Sequence, residues 1–179
     1  MPILAMGRAV IIGVMSDTHD NMEGIEKAIE KLNAAGVDAI IHLGDFVSPF
    51  SLKKVAEASK ARKIYAVFGN NDGDKLLLRA IANEKGIIIE EQPLEVTLDG
   101  SRFLLIHGIG NEGKTIKFAT ALAKSREYDA VLFGHTHHPF LDYINGVLLL
   151  NPGEVAGVFT RPTIALISIP SMAARIFDI

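Results

Sequence analysis

Asp17-Thr18-His19 and His135-Thr136-His137 each set two metal-binding side chains at i and i+2, and Asp45, Asn70 and His107 bring the number of such side chains to seven. Each stands just past a short apolar run. The runs are residues 9–15 before Asp17 and His19, 39–43 before Asp45, 63–68 before Asn70, 102–106 before His107, and 130–133 before His135 and His137. In an open α/β sheet, ligands bind beyond the carboxyl ends of the strands, so residues far apart in sequence can converge there. The i, i+2 spacing would point both side chains to one side of an extended chain leaving a strand. Glycines at 44, 69, 108 and 134 adjoin the ligand positions and would let the backbone approach an ion closely.

Two cations held about 3.5–4 Å apart need a shared ligand, and a carboxylate with two oxygens suits that place; Asp45 is the candidate bridge. Imidazole and carboxylate ligands without sulfur fit Mn, Fe, Zn, Co or Ni, and affinity order alone does not select among them. Two divalent ions bring four positive charges, of which Asp17, Asp45 and a bridging hydroxide remove three. The centre stays positive and favours an anion, with phosphate esters the expected substrate class.

The elements needed to hold such a site are legible in the patterning. Residues 10–15 are apolar on both faces, as in a buried strand. Residues 23–35 carry Ile25, Ile29 and Leu32 on one helical face and end at Gly36. A strand at 40–43, a helix at 50–60 begun by Pro49, a strand at 64–68 and a helix at 74–85, capped by Asp72 or Asp74 and stopped by Gly86, continue the alternation, followed by a short apolar stretch at 87–89. From Leu94 the rhythm changes: residues 95–98, Asp99-Gly100 and 102–106 read as a hairpin with a primed turn. A helix at 112–124 and strands at 131–133, 140–144, 147–150, 163–169 and 175–179 complete the chain, with Asn145-Gly146 turning between two of them.

At 179 residues, 49% of them hydrophobic, the chain fits one domain spanning 1–179 with a single substantial core, and residues 1–8 read as a loosely ordered extension. The lack of cysteine excludes sulfur-ligated zinc, iron–sulfur clusters and a thiol nucleophile. A net charge of −3 gives no extended basic track, so long DNA or RNA is not the expected partner. The apolar runs are too short to span a bilayer and no charged leader precedes the first of them, so the expectation is a soluble cytoplasmic protein with no membrane partner.

The order Asp17-Thr18-His19, Gly44-Asp45, Gly69-Asn70-Asn71-Asp72, His107-Gly108 and Gly134-His135-Thr136-His137 is similar to that of the calcineurin-like metallophosphoesterases, and the tail resembles their small one-domain bacterial and archaeal phosphodiesterase subgroup. Each block alone is weak; all five in order are specific. The resemblance implies an α/β fold, a four-layer α-β-β-α sandwich of two mixed sheets with the metal site at the strand C-terminal edge. It further implies metal-dependent hydrolysis of a small phosphate ester, most of all a diester, by a hydroxide that bridges two metals, manganese foremost and nickel, cobalt, iron or zinc as alternatives. Asp17, His19 and His137 would hold the first metal, Asn70, His107 and His135 the second, and Asp45 both. Catalytic roles fall to Asn70, Asp45 and His107, and substrate contacts to Asn70, Asn71 and His107. Asn151-Pro152-Gly153 looks like the subgroup's loop after the last ligand.

One position departs from the pattern. Many relatives carry a histidine after Gly-Asn that is thought to protonate the leaving group, and here Asn71 cannot donate that proton at physiological pH. A preference for good leaving groups, or for diesters over alkyl monoesters, is the expected result. His42, inside a strand run, reads as a core histidine. His138 reads as facing away from His137, Asp20, Asn21 and Asp72 as caps or supports of the ligands, Glu112 and Lys114 as a solvated first helical turn, and Arg161 as a surface charge. Two rival functions are a catalytically weak scaffold resembling the retromer subunit of this fold, and a metallo-β-lactamase-like sandwich. The first has no physical need for seven polar groups at one edge. The second lacks its His-x-His-x-Asp-His block. Phe140, Phe159 and Phe177 are candidates for a subunit contact in a homo-oligomer, with core packing the commoner fate of such residues.

Overall fold

A computed structural model describes residues 8–179. The expected N-terminal extension therefore lies outside the described residues except for Arg8, which pairs with Asp38 at 2.9 Å. Eleven strands and four helices follow in the order β1 (Val10–Met15), α1 (Met22–Ala34), β2 (Ala39–His42), α2 (Pro49–Ala58), β3 (Lys63–Val67), α3 (Lys75–Lys85), β4 (Ile88–Glu90), β5 (Leu94–Leu98), β6 (Ser101–Ile106), α4 (Glu112–Ser125), β7 (Ala130–Phe133), β8 (Phe140–Ile144), β9 (Val147–Asn151), β10 (Thr163–Ile169) and β11 (Ala173–Asp178).

The strands form two mixed sheets, ordered β11-β10-β1-β2-β3-β4 and β5-β6-β7-β9-β8. Strand alternation sorts the core into layers, because neighbouring side chains of a strand face opposite ways. From β1 and β2, Met15 and Ile40 join Ile25, Ile29, Leu32, Leu52, Val55 and Leu78 beneath α1, α2 and α3. Ile12, Val14 and Ile41 face the other way and meet Phe103, Leu105, Leu132 and Leu148 between the sheets. Leu104, Ile106, Val131 and Phe133 pack on Ala119 and Ala123 of α4. These three apolar layers make the α-β-β-α sandwich.

β1, β2 and β3 run parallel in one sheet, and β6 runs parallel to β7 in the other. All five therefore deliver the residues that follow them to one edge. Both expected hairpin turns are present, with left-handed φ at Asp99 (47°), Gly100 (80°), Asn145 (52°) and Gly146 (86°), as a type I′ turn requires. Asn21 caps α1 by accepting from Gly24 N, and Asp74 rather than Asp72 caps α3 by accepting from Leu77 N.

Two boundaries differ by two residues from the sequence expectation, and the others by one at most. α2 stops at Ala58 because the Asn33 side chain binds the Ala58 carbonyl and the Lys60 N–H, satisfying groups that a longer helix would use. β11 begins at Ala173, two residues early, because Met172 turns at φ 54° and Ala173 already pairs with Ser168.

Candidate metal centre

The seven ligand candidates do meet. Asp17, His19, Asp45 and His137 offer ligand atoms that lie within 4.8 Å of one another. On the other side of Asp45, His107 Nε2 is 3.5 Å from Asp45 Oδ2, 3.0 Å from Asn70 Oδ1 and 3.3 Å from His135 Nδ1. Asp45 Oδ2 also lies 3.3 Å from His19 Nε2, so this one carboxylate joins both groups.

The i, i+2 pairs converge in a different way from the one expected. Asp17 and His19 have φ of 51° and 39°, His135 and His137 have 67° and 61°, and Asp45 has 59°. The chain is thus left-handed at these five positions rather than extended. Non-glycine residues held there cost on the order of 1–3 kcal/mol each and persist only where surrounding structure dictates them. Backbone bonds between loops supply that structure: Asp17 N donates to Gly44 O, Thr18 N and His19 N to Asp45 O, and Gly134 N to His107 O. His135 N reaches across the sheets to Asp17 Oδ2 at 3.0 Å.

The adjoining glycines are explained by the same crowding, with the next loop as the close neighbour instead of an ion. A Cβ on Gly69 would collide with Asp45 Oδ1, and one on Gly134 would collide with Ser16 Oγ and stand 3.0 Å from Asp17 Oδ2. Ser16 is fully buried and donates to Asp17 Oδ2, so it cannot swing aside freely. Gly134→Ala should cost about 1–3 kcal/mol by overpacking and weaken metal binding by displacing Asp17. Thermal unfolding and metal titration of the variant check this, and two unchanged values would contradict the packing account.

Three histidines have one ring nitrogen tied up and the other aimed inward. His107 Nδ1 is 2.7 Å from Leu43 O, His135 Nε2 is 2.6 Å from Gly110 O, and His137 Nδ1 is 2.8 Å from Glu154 Oε2. Each of these acceptors takes the ring proton, so the other nitrogen presents a lone pair to the centre, as metal-bound histidines do. Asp17 Oδ1 and His19 Nε2 are buried and have no hydrogen-bond partner among the described residues. Orphaned donor atoms and converging lone pairs are costly unless a cation satisfies them. The residues therefore fit a metal centre.

The local charges agree. Every ion pair of Asp17 and Asp45 is with a histidine. Burial pushes the Asp17 carboxyl up, only partly opposed by His107, Ser16 and His137. Burial also pushes Asp45 up, but the close imidazoles of His107 and His19 and the hydrogen bond from Asn71 N outweigh it and hold Asp45 well below the usual carboxylate range. Burial pushes His107 down, and Asp45 and Asp17 more than offset this, so it lies above the ordinary histidine value. The Asp45 carboxylate raises His19 as well. A pocket that makes its own histidines more basic is one that attracts positive charge.

Several side chains support the centre, and two of them, Glu154 and Gln92, escaped the sequence reading. Glu154, fully buried, holds His137 and accepts from Val158 N, Phe159 N and Thr160 N. Gln92 Oε1 accepts from His107 N and Gly108 N, while its Nε2 donates to Gly108 O. Asp72 gathers the N–H groups of Asp45, Val47 and Gly69, which joins the β2 and β3 loops. Asn71 donates from its backbone to Asp45 Oδ1 and from Nδ2 to Asp45 Oδ2, at 2.8 and 2.7 Å. Asn151 Nδ2 binds Gly134 O and Thr136 Oγ1. Asp20 braces the start of α2 through Ser48 and Ser51. Outside the cluster, His138 is bonded to Thr136 O, and Arg161 pairs with Asp178.

His42 is a core histidine, stacked on Phe46 at 3.6 Å between ring centroids. Gly44 N donates to its Nδ1, which leaves Nε2–H for Thr18 Oγ1. Burial pushes it down to about 3 from an ordinary 6.5. Between those values the unfolded chain binds a proton that the folded chain rejects. His42's contribution to stability is thus whole above pH 6.5 and is lost as pH falls toward 3, at up to about 1.4 kcal/mol per pH unit. In urea unfolding, the deficit of His42→Phe relative to the parent should shrink by about 2 kcal/mol from pH 7 to pH 5; a constant gap would contradict a neutral His42.

A two-sheet sandwich whose parallel strand ends bring Asp, His and Asn side chains to one edge carries the donor set of a metal centre, and its relatives mark the chain as a hydrolase acting on ester bonds. The calcineurin-like phosphoesterase superfamily domain matches residues 10–172, and the chain belongs to that family. It is 39% identical over 160 residues to a phosphodiesterase of Methanocaldococcus jannaschii, covering 87% of this chain and 91% of that protein. It is 28% identical to the phosphodiesterase YfcE of Escherichia coli, over 79% and 77% of the two chains. Among solved structures, an archaeal phosphodiesterase superposes with a TM-score of 0.85 at 35% identity, covering 95% of this chain and all of the other. Vacuolar protein sorting 29 of Cryptosporidium parvum shares the fold, with a TM-score of 0.64 at 17% identity over 96% and 99% of the chains.

Proposed function

We propose that this chain is a phosphodiesterase for small phosphate esters, working by in-line attack of a hydroxide on phosphorus. The ions that Asp17, His19 and His137 would hold on one side, and Asn70, His107 and His135 on the other, with Asp45 between, supply a water acidic enough to ionise near neutral pH and neutralise charge on the phosphoryl oxygens. Manganese is the expected ion, with nickel, cobalt, iron or zinc able to use the same oxygen and nitrogen donors.

The observation that carries this reading is the fixed tautomer of His107, His135 and His137, each held by an outer acceptor so that its free nitrogen faces the centre. Asn71 clamps both oxygens of Asp45 and so sets the orientation of the shared carboxylate. Asn70 and His107, whose Oδ1 and Nε2 lie 3.0 Å apart, take the contacts with a phosphoryl oxygen in this reading. Asn71 Nδ2, spent on Asp45 and neutral, brings no acid to the leaving group, which favours esters that depart without one.

Turnover of bis(p-nitrophenyl) phosphate and p-nitrophenyl phosphate in a series of Mn, Ni, Co and Zn tests the reading. Metal-dependent cleavage, faster for the diester, is expected. No cleavage with any of these ions would favour a non-catalytic scaffold of the same fold.

A further inference from the structure

Phe159 is 72% exposed and its neighbour Val158 64% exposed, in the loop that joins β9 to β10 beside the metal centre. Exposed apolar residues in a pair at a cleft mark a surface that something covers more readily than scattered ones do. The Phe159 ring stands edge-on to His137, with centroids 4.9 Å apart and planes at 87°. Its backbone is tied down by several hydrogen bonds. Phe159 N and Thr160 N donate to Glu154 Oε1 at 2.6 and 2.5 Å, Val158 N donates to Oε2 at 3.0 Å, and Thr160 Oγ1 donates to His137 O at 3.0 Å. The carboxylate that orients His137 thereby also fixes the backbone carrying the ring. A ring merely shielding His137 would gain most by lying down over it and burying its surface; this one leaves most of its area open to solvent.

We propose that Phe159 is a substrate-contacting specificity residue, whose open surface receives a flat unsaturated ring, aryl or nucleobase, borne on an ester arm of the bound phosphate. The proposal rests on the phosphodiesterase reading and deepens it. The phosphoryl group sits on the centre that His137 helps to build, and one arm extends past His137 onto Phe159. Ring pairs of this kind favour offset or edge-on contact and discriminate a ring from a methyl group by about three- to tenfold.

Calorimetric titration of the manganese-loaded protein with phenylphosphonate and methylphosphonate, neither of which can be hydrolysed at phosphorus–carbon, tests this apart from catalysis. The parent should prefer the phenyl compound by about three- to tenfold, Phe159→Ala should lose that preference while keeping its affinity for the methyl compound, and Phe159→Tyr should retain it. An equal loss for both ligands in Phe159→Ala would show a role exerted only through His137 and overturn the proposal. An unchanged preference in Phe159→Ala would overturn it too. Hydrolysis of bis(p-nitrophenyl) phosphate by a parent protein without ring preference would overturn the platform alone. Absence of both hydrolysis and phosphonate binding would overturn the phosphodiesterase reading, and the platform with it.

Discussion

Asp45→Asn is expected to lower kcat/KM for bis(p-nitrophenyl) phosphate by about a thousandfold or more, since the several kcal/mol of charge stabilisation that a metal pair supplies correspond to tenfold per 1.36 kcal/mol. The carboxylate approaches both ligand groups, at 3.3 Å from His19 and 3.5 Å from His107. An amide keeps the shape but loses the charge, and its NH₂ would face either the centre or the donors of Asn71. The amide gives up the pairing of the charge with His107 and His19, so the variant should be less stable, yet folded, because Asp45 takes no part in the three apolar layers. Steady-state kinetics at saturating manganese measures the loss. A variant with full rate would mean that Asp45 is not the bridge.

Glu154→Ala carries the next largest effect, on two observables at once. Glu154 is the proton acceptor of His137 and the anchor of three consecutive backbone N–H groups. Burial pushes its carboxyl up, but hydrogen bonds with His137 and from those groups outweigh it and hold it below the ordinary value. Removing a partner that orients a metal-bound histidine typically costs about 10–100-fold in metal affinity. Leaving buried donors unpaired adds about 1–3 kcal/mol of instability for each group that water cannot reach. Glu154→Gln keeps an acceptor oxygen and should lose less stability than Glu154→Ala, yet still weaken the metal, since a neutral amide polarises His137 less. Metal titration and denaturant unfolding of both variants separate the terms. Equal affinities in Glu154→Ala and the parent would remove Glu154 from the site.

The strands and the convergence of the seven candidate ligand positions could be read from the chain because both depend on local signals. Apolar runs bounded by Gly, Asp and Asn are short-range patterns, and parallel strands put whatever follows them at one edge. Two of the supports were hidden for the opposite reason. Glu154 lies 17 residues beyond the histidine it holds, in an irregular loop whose Asn151-Pro152-Gly153 start was visible but whose next residue was not distinctive. Gln92 acts on His107 across 15 residues, from just before Pro93, with no periodic pattern to mark it. The left-handed turns at Asp17, His19, Asp45, His135 and His137 break the steric preference of the residues themselves, and only the interlocking of several loops imposes them. The same holds for Gly69 and Gly134: their presence was apparent, but the neighbour that forbids a side chain comes from another loop.

The most direct measurement is a crystal of the protein grown with manganese and recorded at the manganese absorption edge. Two anomalous peaks about 3.5–4 Å apart, one beside Asp17, His19 and His137, the other beside Asn70, His107 and His135, with Asp45 touching both, are the predicted result. A single peak, or peaks away from these side chains, would contradict it.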